Sequence, residues 1–324
     1  MITVIGAVNQ DFTIFERAFG EPGEEVPVVD VKEYPGGKGA NVSVAVGKIC
    51  GEGKVAFVGA VGKDPTGEYL LDDLQSSGVN VAGVARLEGV QTGRAFIIVD
   101  SMGRKVIHTY FGANDAIPLS HLDSRYAGAA LTSSTVAVIV DPPVDVAHKA
   151  AVMSKSVGAR IVFSPGVRAE QREQIDPILR IADDLVVDRS ELTKLAGKGE
   201  PIAALKAISQ RFPDLTIVAT LGSDGSVVSG GGSTSTVEPV DLSTIGLKAV
   251  NSTGSGDAFL AAYVCYSIQG EKPDEAAKWG NLAGALKAAR AETRGSPSKE
   301  FLEEKSEELA AIRGRRRASR SGKA

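Results

Sequence analysis

Metal-ligating side chains are scarce in this chain. Its 324 residues include two cysteines, Cys50 and Cys265, and three histidines, His108, His121 and His148. None stand at the spacings that zinc requires, which argues against a Cys/His metal centre. The two cysteines are expected as isolated thiols, as in a reducing cytosol. No apolar run approaches the ~20 residues needed to cross a bilayer. The opening MITVIGAVNQ has no basic n-region and reads as a strand, so no signal peptide is expected. A cytoplasmic protein without a membrane partner is the expectation. In that setting the sequons at Asn41 and Asn251 carry no meaning for glycosylation.

Two common nucleotide signatures are also missing. The Gly-Lys pairs at 47–48 and 62–63 are followed by Ile49 and Asp64 rather than Ser or Thr, so no Walker A loop is present. No G-x-G-x-x-G follows the first strand, which argues against a nicotinamide dehydrogenase. Basic charge is confined. The formal net charge is -4, yet the last twelve residues carry six cations and no acid. The body is therefore more acidic than the average suggests and makes a poor nucleic-acid surface. The segment 313–324 reads as a basic, disordered tail.

What is present is an ordinary globular composition, 43% hydrophobic and 23% charged. Short Val/Ile-rich runs at 2–8, 54–61, 135–140, 160–164, 184–187 and 216–220 mostly lack alternation, as expected of strands buried on both faces. Helix-period segments stand between them. Val42, Ala45, Val46 and Ile49 repeat at helical spacing. Segments 145–157, 201–212, 258–268 and 275–290 complete the set, with Pro201 at a favoured first position. This rhythm predicts an α/β fold, a Rossmann-like, doubly wound and mostly parallel sheet flanked by helices. Two stretches break it. Residues 12–34 and 94–111 read as exposed strand pairs, the second a hairpin turning at Ser101-Met-Gly103. They predict a small β-sheet lid inserted in a domain spanning 1–312. Gly230 to Gly232 read as a loop tip.

Four segments could carry chemistry. In Asn251-Ser-Thr-Gly-Ser-Gly-Asp257 small residues precede an apolar helix and an acid stands in its first turn. Free backbone N–H groups and the helix dipole would converge there on an anion. A carboxylate beside them could take a proton from an attacking hydroxyl. The same residues also read as a plain N-cap. Pro35-Gly-Gly-Lys-Gly-Ala-Asn41 opens an amphipathic helix and offers Lys38 and Asn41 to a polar ligand, or is a tight turn and cap. Thr220-Leu-Gly-Ser-Asp-Gly225 follows a strand, where ligands line the crevice of such sheets; it also fits a hairpin turn. Asp188-Arg-Ser-Glu191 could hold hydrated Mg²⁺ or be a capping arrangement.

In this order and spacing the segments resemble the ribokinase-like, or PfkB, family of carbohydrate and nucleoside kinases. The resemblance runs over about 2–300. It rests on Asn9-Gln-Asp11, Gly36-Gly-Lys-Gly-Ala-Asn41, Gly62-Lys-Asp64 with Gly67, Thr220-Leu-Gly-Ser223 and Gly254-Ser-Gly-Asp257. It implies that Asp257 is the catalytic base, with the amides of Gly254, Ser255 and Gly256 as anion hole. It implies that Asp11, Gly37, Lys38, Asn41 and Asn114 line the acceptor pocket. Mg²⁺–ATP would meet Asp188, Glu191, Thr220, Gly222, Ser223 and Gly225, with Asn281 near the adenine. Asp188 and Glu191 would be the metal-side acids. A homodimer through the lid is a further implication.

Two departures qualify this. Asp188 stands where the family has Asn, and Asn251 where ribokinases have an aspartate that helps to hold a monovalent cation. Asn251 is expected to donate a side-chain N–H to a neighbouring carbonyl instead, so dependence on K⁺ should be weak. The expected activity is ATP-dependent phosphorylation of a pentose or hexose. A phosphosugar kinase is the alternative, with Arg94, Arg104 and Lys38 as phosphate partners. A nucleoside kinase comes third, and an idle nucleotide-binding regulator is the alternative without an enzyme.

Overall fold

The computed structural model describes residues 1–197 and 199–321, of which 313–321 as backbone only. Contacts divide the chain into two compact units, Met1–Ser43 with Gly53–Ile161, and Val44–Glu52 with the chain from Val162 onward.

In the first unit β1 (Ile2–Gly6) is followed by β2 (Asn9–Glu16), β3 (Val28–Gly36), helix α1 (Lys38–Cys50) and β4 (Val55–Gly62). Next come α2 (Pro65–Ser76), β5 (Asn80–Leu87), β6 (Gly93–Val99), β7 (Lys105–Tyr110), α3 (Arg125–Thr132), β8 (Val136–Val140) and α4 (Val144–Lys155). β1 lies between β4 and β8, parallel to both. All three strands are buried throughout, which explains their unbroken Val/Ile runs. β5, parallel to β4, is absent from the sequence-based strands; only part of it is buried, and Ala82, Gly83 and Ala85 dilute its β-branched residues.

The two stretches at odds with the βα rhythm form a separate sheet of order β3-β2-β6-β7. Its hairpins pair antiparallel and are joined by a parallel β2–β6 contact. Phe12 and Phe96 stack between the two central strands at 5.4 Å. Both edge strands are exposed over most of their length, including Val28, Val29 and Val31 on β3.

The second unit holds β9 (Arg160–Ser164), α5 (Arg172–Leu179), β10 (Asp184–Asp188), α6 (Arg189–Ala196), α7 (Pro201–Arg211), β11 (Thr216–Thr220), β12 (Ser226–Gly230), β13 (Ser233–Val237), α8 (Ser255–Ser267), α9 (Pro273–Ala288) and α10 (Lys299–Ser321). β9, β10 and β11 are parallel, and β12 and β13 return as an antiparallel edge. α8 is buried on every side from Ala258 to Ser267, as an all-round apolar helix must be. It carries one polar anchor, Tyr263, whose hydroxyl donates to buried Asp184 at 2.7 Å. Together the strands give a mostly parallel nine-stranded sheet of order β13-β12-β11-β10-β9-β8-β1-β4-β5.

Two expectations differ from what is observed. Cys50 and Cys265 are not separate thiols; they form a disulfide with Cα atoms 5.8 Å apart. Packing brings the last residue of α1 beside the third turn of α8 across 215 residues of sequence, and no spacing rule reveals such a pair. The segment read as a disordered tail from 313 is helical, as part of α10, through Ser321; residues 322–324 lie outside the described residues. Among the described residues no helix is long and apolar enough to cross a membrane.

Candidate active site

In the first unit the polar residues gather where β3 ends and α1 begins. Gly36 closes β3, Gly37 makes the turn and Lys38 opens the helix. Asp11 on β2 pairs with Tyr34, and its carboxylate occupies the space that a Cβ at Gly36 would fill. A glycine is therefore required there for steric reasons alone. Asn41 is buried in the first turn of α1, its amide bonded to Gly37 O at 2.8 Å. Lys38 Nζ stands 4.0 Å from Asp141, immediately after β8. Asp141 is 5% exposed and, among the described residues, the one non-glycine with positive φ, +58°. Strained backbone around a buried carboxylate is a mark of a functional position.

Arg94 and Asn114 stand differently. Arg94 on β6 lies beside Gln10, and its Nε is buried without a hydrogen-bond partner among the described residues. Its charge is felt by Asp64. Burial pushes the Asp64 carboxyl up. Hydrogen bonds from the Thr92 hydroxyl and amide and from Gly67 N, with the Arg94 guanidinium, outweigh that and hold it below its ordinary value. Asn114 is a clamp. Its Oδ1 accepts from Val8 N at 2.9 Å, and its Nδ2 faces Val8 O, Asn9 Oδ1 and Phe111 O at 2.9 to 3.0 Å. The two protons of an amide are thereby spent on the fold.

In the second unit the loop 251–254 feeds α8. Gly254 is its N-cap in the left-handed region, φ +84°, and a Cβ there would run into Thr293 O. Of the three amides expected in an anion hole, Ser255 N is committed to Ser252 O at 3.1 Å. The Gly254 and Gly256 amides have no hydrogen-bond partner among the described residues. Asp257 follows in the first helical turn, half-buried. As expected, Asn251 Nδ2 donates to a neighbouring carbonyl, Ala291 O, at 2.7 Å.

The residues expected to meet the nucleotide are also brought together. Asp188 and Thr220 are direct partners at the ends of β10 and β11. Gly222 to Asp224 form one exposed 3₁₀ turn, tied to α6 by Arg189, which donates to Asp224 at 2.6 Å. Ser223 is exposed at its centre. A Cβ at Gly225 would strike Val237 O, the same carbonyl that accepts from Asn281 Nδ2 at 3.2 Å. Asp188 and Glu191 form a capping box: Glu191 N donates to Asp188 at 2.8 Å and Asp188 N to Glu191 at 3.1 Å. Among the described residues no group of three or more His, Cys, Asp or Glu could hold a metal.

The profile of the pfkB family carbohydrate kinases matches residues 1–300. The chain belongs to that family. As a member it is a carbohydrate kinase, a phosphotransferase acting on a sugar hydroxyl. This kinase is 28% identical to a ribokinase of Haemophilus influenzae over 313 residues, covering 93% of this chain and 98% of the relative. It is 27% identical to an ATP-dependent ribose-1-phosphate kinase of Halopiger xanaduensis over 300 residues, 92% and 96% of the two chains. Among solved structures, the ribokinase of Thermotoga maritima superposes with a TM-score of 0.80 at 25% identity, over 93% of this chain and 97% of that one.

Sequence reasoning overlooked one residue of the polar cluster in the first unit, Asp141. A signal was present: Asp141-Pro-Pro143 directly follows a parallel strand, and ligands gather at such strand ends. What sequence does not carry is the positive φ and the facing Lys38.

Proposed function

We propose that this kinase transfers the γ-phosphoryl group of ATP to a hydroxyl of a neutral pentose or hexose, in the manner of a ribokinase. The observation that carries the reading is the start of α8, where two uncommitted amides and a half-buried carboxylate share one helical turn. The acceptor oxygen forms a bond to the γ-phosphorus, the bond to the ADP oxygen breaks, and the hydroxyl proton passes to Asp257. The Gly254 and Gly256 amides and the helix dipole stabilise charge on the transferring group. Asp11, Lys38, Asn41 and Asp141 orient the acceptor. Two carboxylates buried to 4% and 5% exposure repel an acceptor that is itself anionic, which favours an uncharged polyol. Thr220, Gly222, Ser223, Gly225 and Asn281 serve the nucleotide.

Mg²⁺ fits as a metal carried by the phosphates and water, since the described residues build no acidic cage and Mg²⁺ rarely needs one. Asp188 and Glu191 would hold it through water, and the ion would neutralise phosphate charge. The exposed β3 edge with Val28, Val29 and Val31 supports a homodimer through the small sheet.

One observation favours a second reading. The unsatisfied Nε of Arg94 would suit a phosphorylated sugar, the substrate class named for the Halopiger xanaduensis relative. A panel of sugars, sugar phosphates and nucleosides with Mg²⁺–ATP tests both. The expected outcome is the highest kcat/KM with a neutral sugar and little effect of Arg94→Ala. A rise of about ten-fold or more in KM for a sugar phosphate on that substitution supports the second reading. If no acceptor yields a phosphorylated product, the kinase reading fails.

A further inference from the structure

Lys287 has no exposure to solvent. It stands in the last turn of α9, where a lysine ordinarily lies on the surface and answers the helix's negative end. Here the side chain runs inward. Its Cε lies 3.5 Å from the position of a Cβ at Gly254, and its Nζ donates to Asn251 O at 2.9 Å. The same two segments are laced further. Val250 N and Asn251 N both donate to Ala288 O, at 2.7 and 3.0 Å. Asn251 Nδ2 reaches Ala291 O, and Thr253 N returns to Asn251 Oδ1 at 2.9 Å. The hydrogen bonds that reach out of residues 250–251 to Ala288 and Ala291, and the one from Lys287, thus anchor the approach to Gly254 on Lys287 and the chain after it.

Burial of an ammonium is costly even when it is hydrogen-bonded, and an apolar side chain of the same length would fill the space without that cost. A charge on Nζ, held beside the N-cap of α8, would strengthen the field on a phosphoryl group bound there. An ammonium gathers carbonyl oxygens much as a small alkali-metal ion does, but being tethered it cannot be diluted away. We infer that Lys287 is a positioning residue for phosphoryl transfer, a built-in monovalent cation that holds the loop 251–254 and makes a soluble one unnecessary. The inference rests on the kinase reading given above.

The test compares the parent with Lys287→Met at constant ionic strength, titrating KCl or methylammonium chloride against tetramethylammonium chloride. The parent's kcat should change by less than about two-fold with either cation. Lys287→Met should lose about ten-fold or more in kcat with acceptor KM little changed, the pattern of a lost transition-state interaction. Added K⁺ or methylammonium should restore part of that loss. Ten-fold activation of the parent by K⁺ overturns the inference, as does a Lys287→Met variant with parental kcat. A loss that tracks global unfolding and responds to no cation also overturns it. Amide hydrogen exchange over 250–257 gives a readout independent of turnover, and so separates this inference from the kinase reading. Exchange should rise there in Lys287→Met and fall again with K⁺, and no local change counts against the role. If Lys287→Met does not fold, the parent's response to K⁺ decides alone.

Discussion

The starts of α1 and α8 are written in nearly the same way. Each has glycines, a small residue and then a helix whose first turn carries a polar side chain. They nevertheless do different things. At α1 the turn is packed in, with Ala40 and Asn41 buried and Asp11 pressed against Gly36, so the backbone is covered by side chains. At α8 Gly256 is exposed, a Cβ there would meet nothing within 4 Å, and the backbone itself faces outward. A glycine-rich helix start is thus a permissive frame. What surrounds the glycine decides whether amides or side chains meet the ligand.

The sharpest way to break this contrast is Asp257→Asn. If α8 combines an anion hole with a base, kcat should fall at least ~10²-fold while KM moves little. Steady-state kinetics of a folded variant with near-parental kcat would remove the base from α8. Next in size is a pair of glycines. Gly254→Ala forces an L residue to φ +84° and into Thr293 O. It should cost about 1–3 kcal/mol in denaturant titration and about ten-fold or more in kcat. Gly256→Ala keeps its amide and should leave kcat within about two-fold while helix propensity improves. Equal effects of the two would show that the backbone of α8 is no different from that of α1.

On the α1 side, Asp141→Asn keeps shape and tolerance of positive φ but removes the charge opposite Lys38. Acceptor KM should rise about ten-fold, the size of a lost charge-assisted hydrogen bond, with the KM for ATP unchanged. An effect on ATP alone would reverse the assignment. The smallest effect concerns Asp64, which caps α2 through Gly67 N at 2.7 Å. Against burial, its hydrogen bonds hold the folded carboxyl below its ordinary value. Its contribution is therefore present above the unfolded carboxylate value and lost as pH falls through the folded one. Asp64→Ala should cost about 0.5–2 kcal/mol at neutral pH and flatten the acid limb of a stability–pH curve. An unchanged limb would show that the cap carries no such linkage.

Much of this was legible in the sequence where local pattern and tertiary outcome agree. The strands at 160–164 and 216–220 have the observed bounds, and the turn at 101–103 joins β6 to β7 as read. Asn251 makes the kind of bond its chemistry suggested. The rest depends on neighbours brought from elsewhere in the chain. The burial of Lys287 is invisible in a helix-end lysine. The bonds that tie the Asn114 amide to Val8 and Phe111 have no mark in the sequence. Asp188 and Glu191 read equally well as metal ligands or caps from spacing alone, and only the 2.8 and 3.1 Å distances reveal the box.

The Cys50–Cys265 bond joins residues 215 positions apart, and the span between them includes every strand from β4 to β13. A protease that nicks any exposed turn inside that span leaves two pieces covalently joined, so the cut chain migrates as one species until a reductant is added. A single cleavage before Cys50 or after Cys265 instead leaves its fragment without a covalent link under any redox condition. The bond thus divides the chain into a protected interval and two unprotected ends, and a nicked enzyme can keep its pieces together in an oxidising medium where a reducing one would let them part.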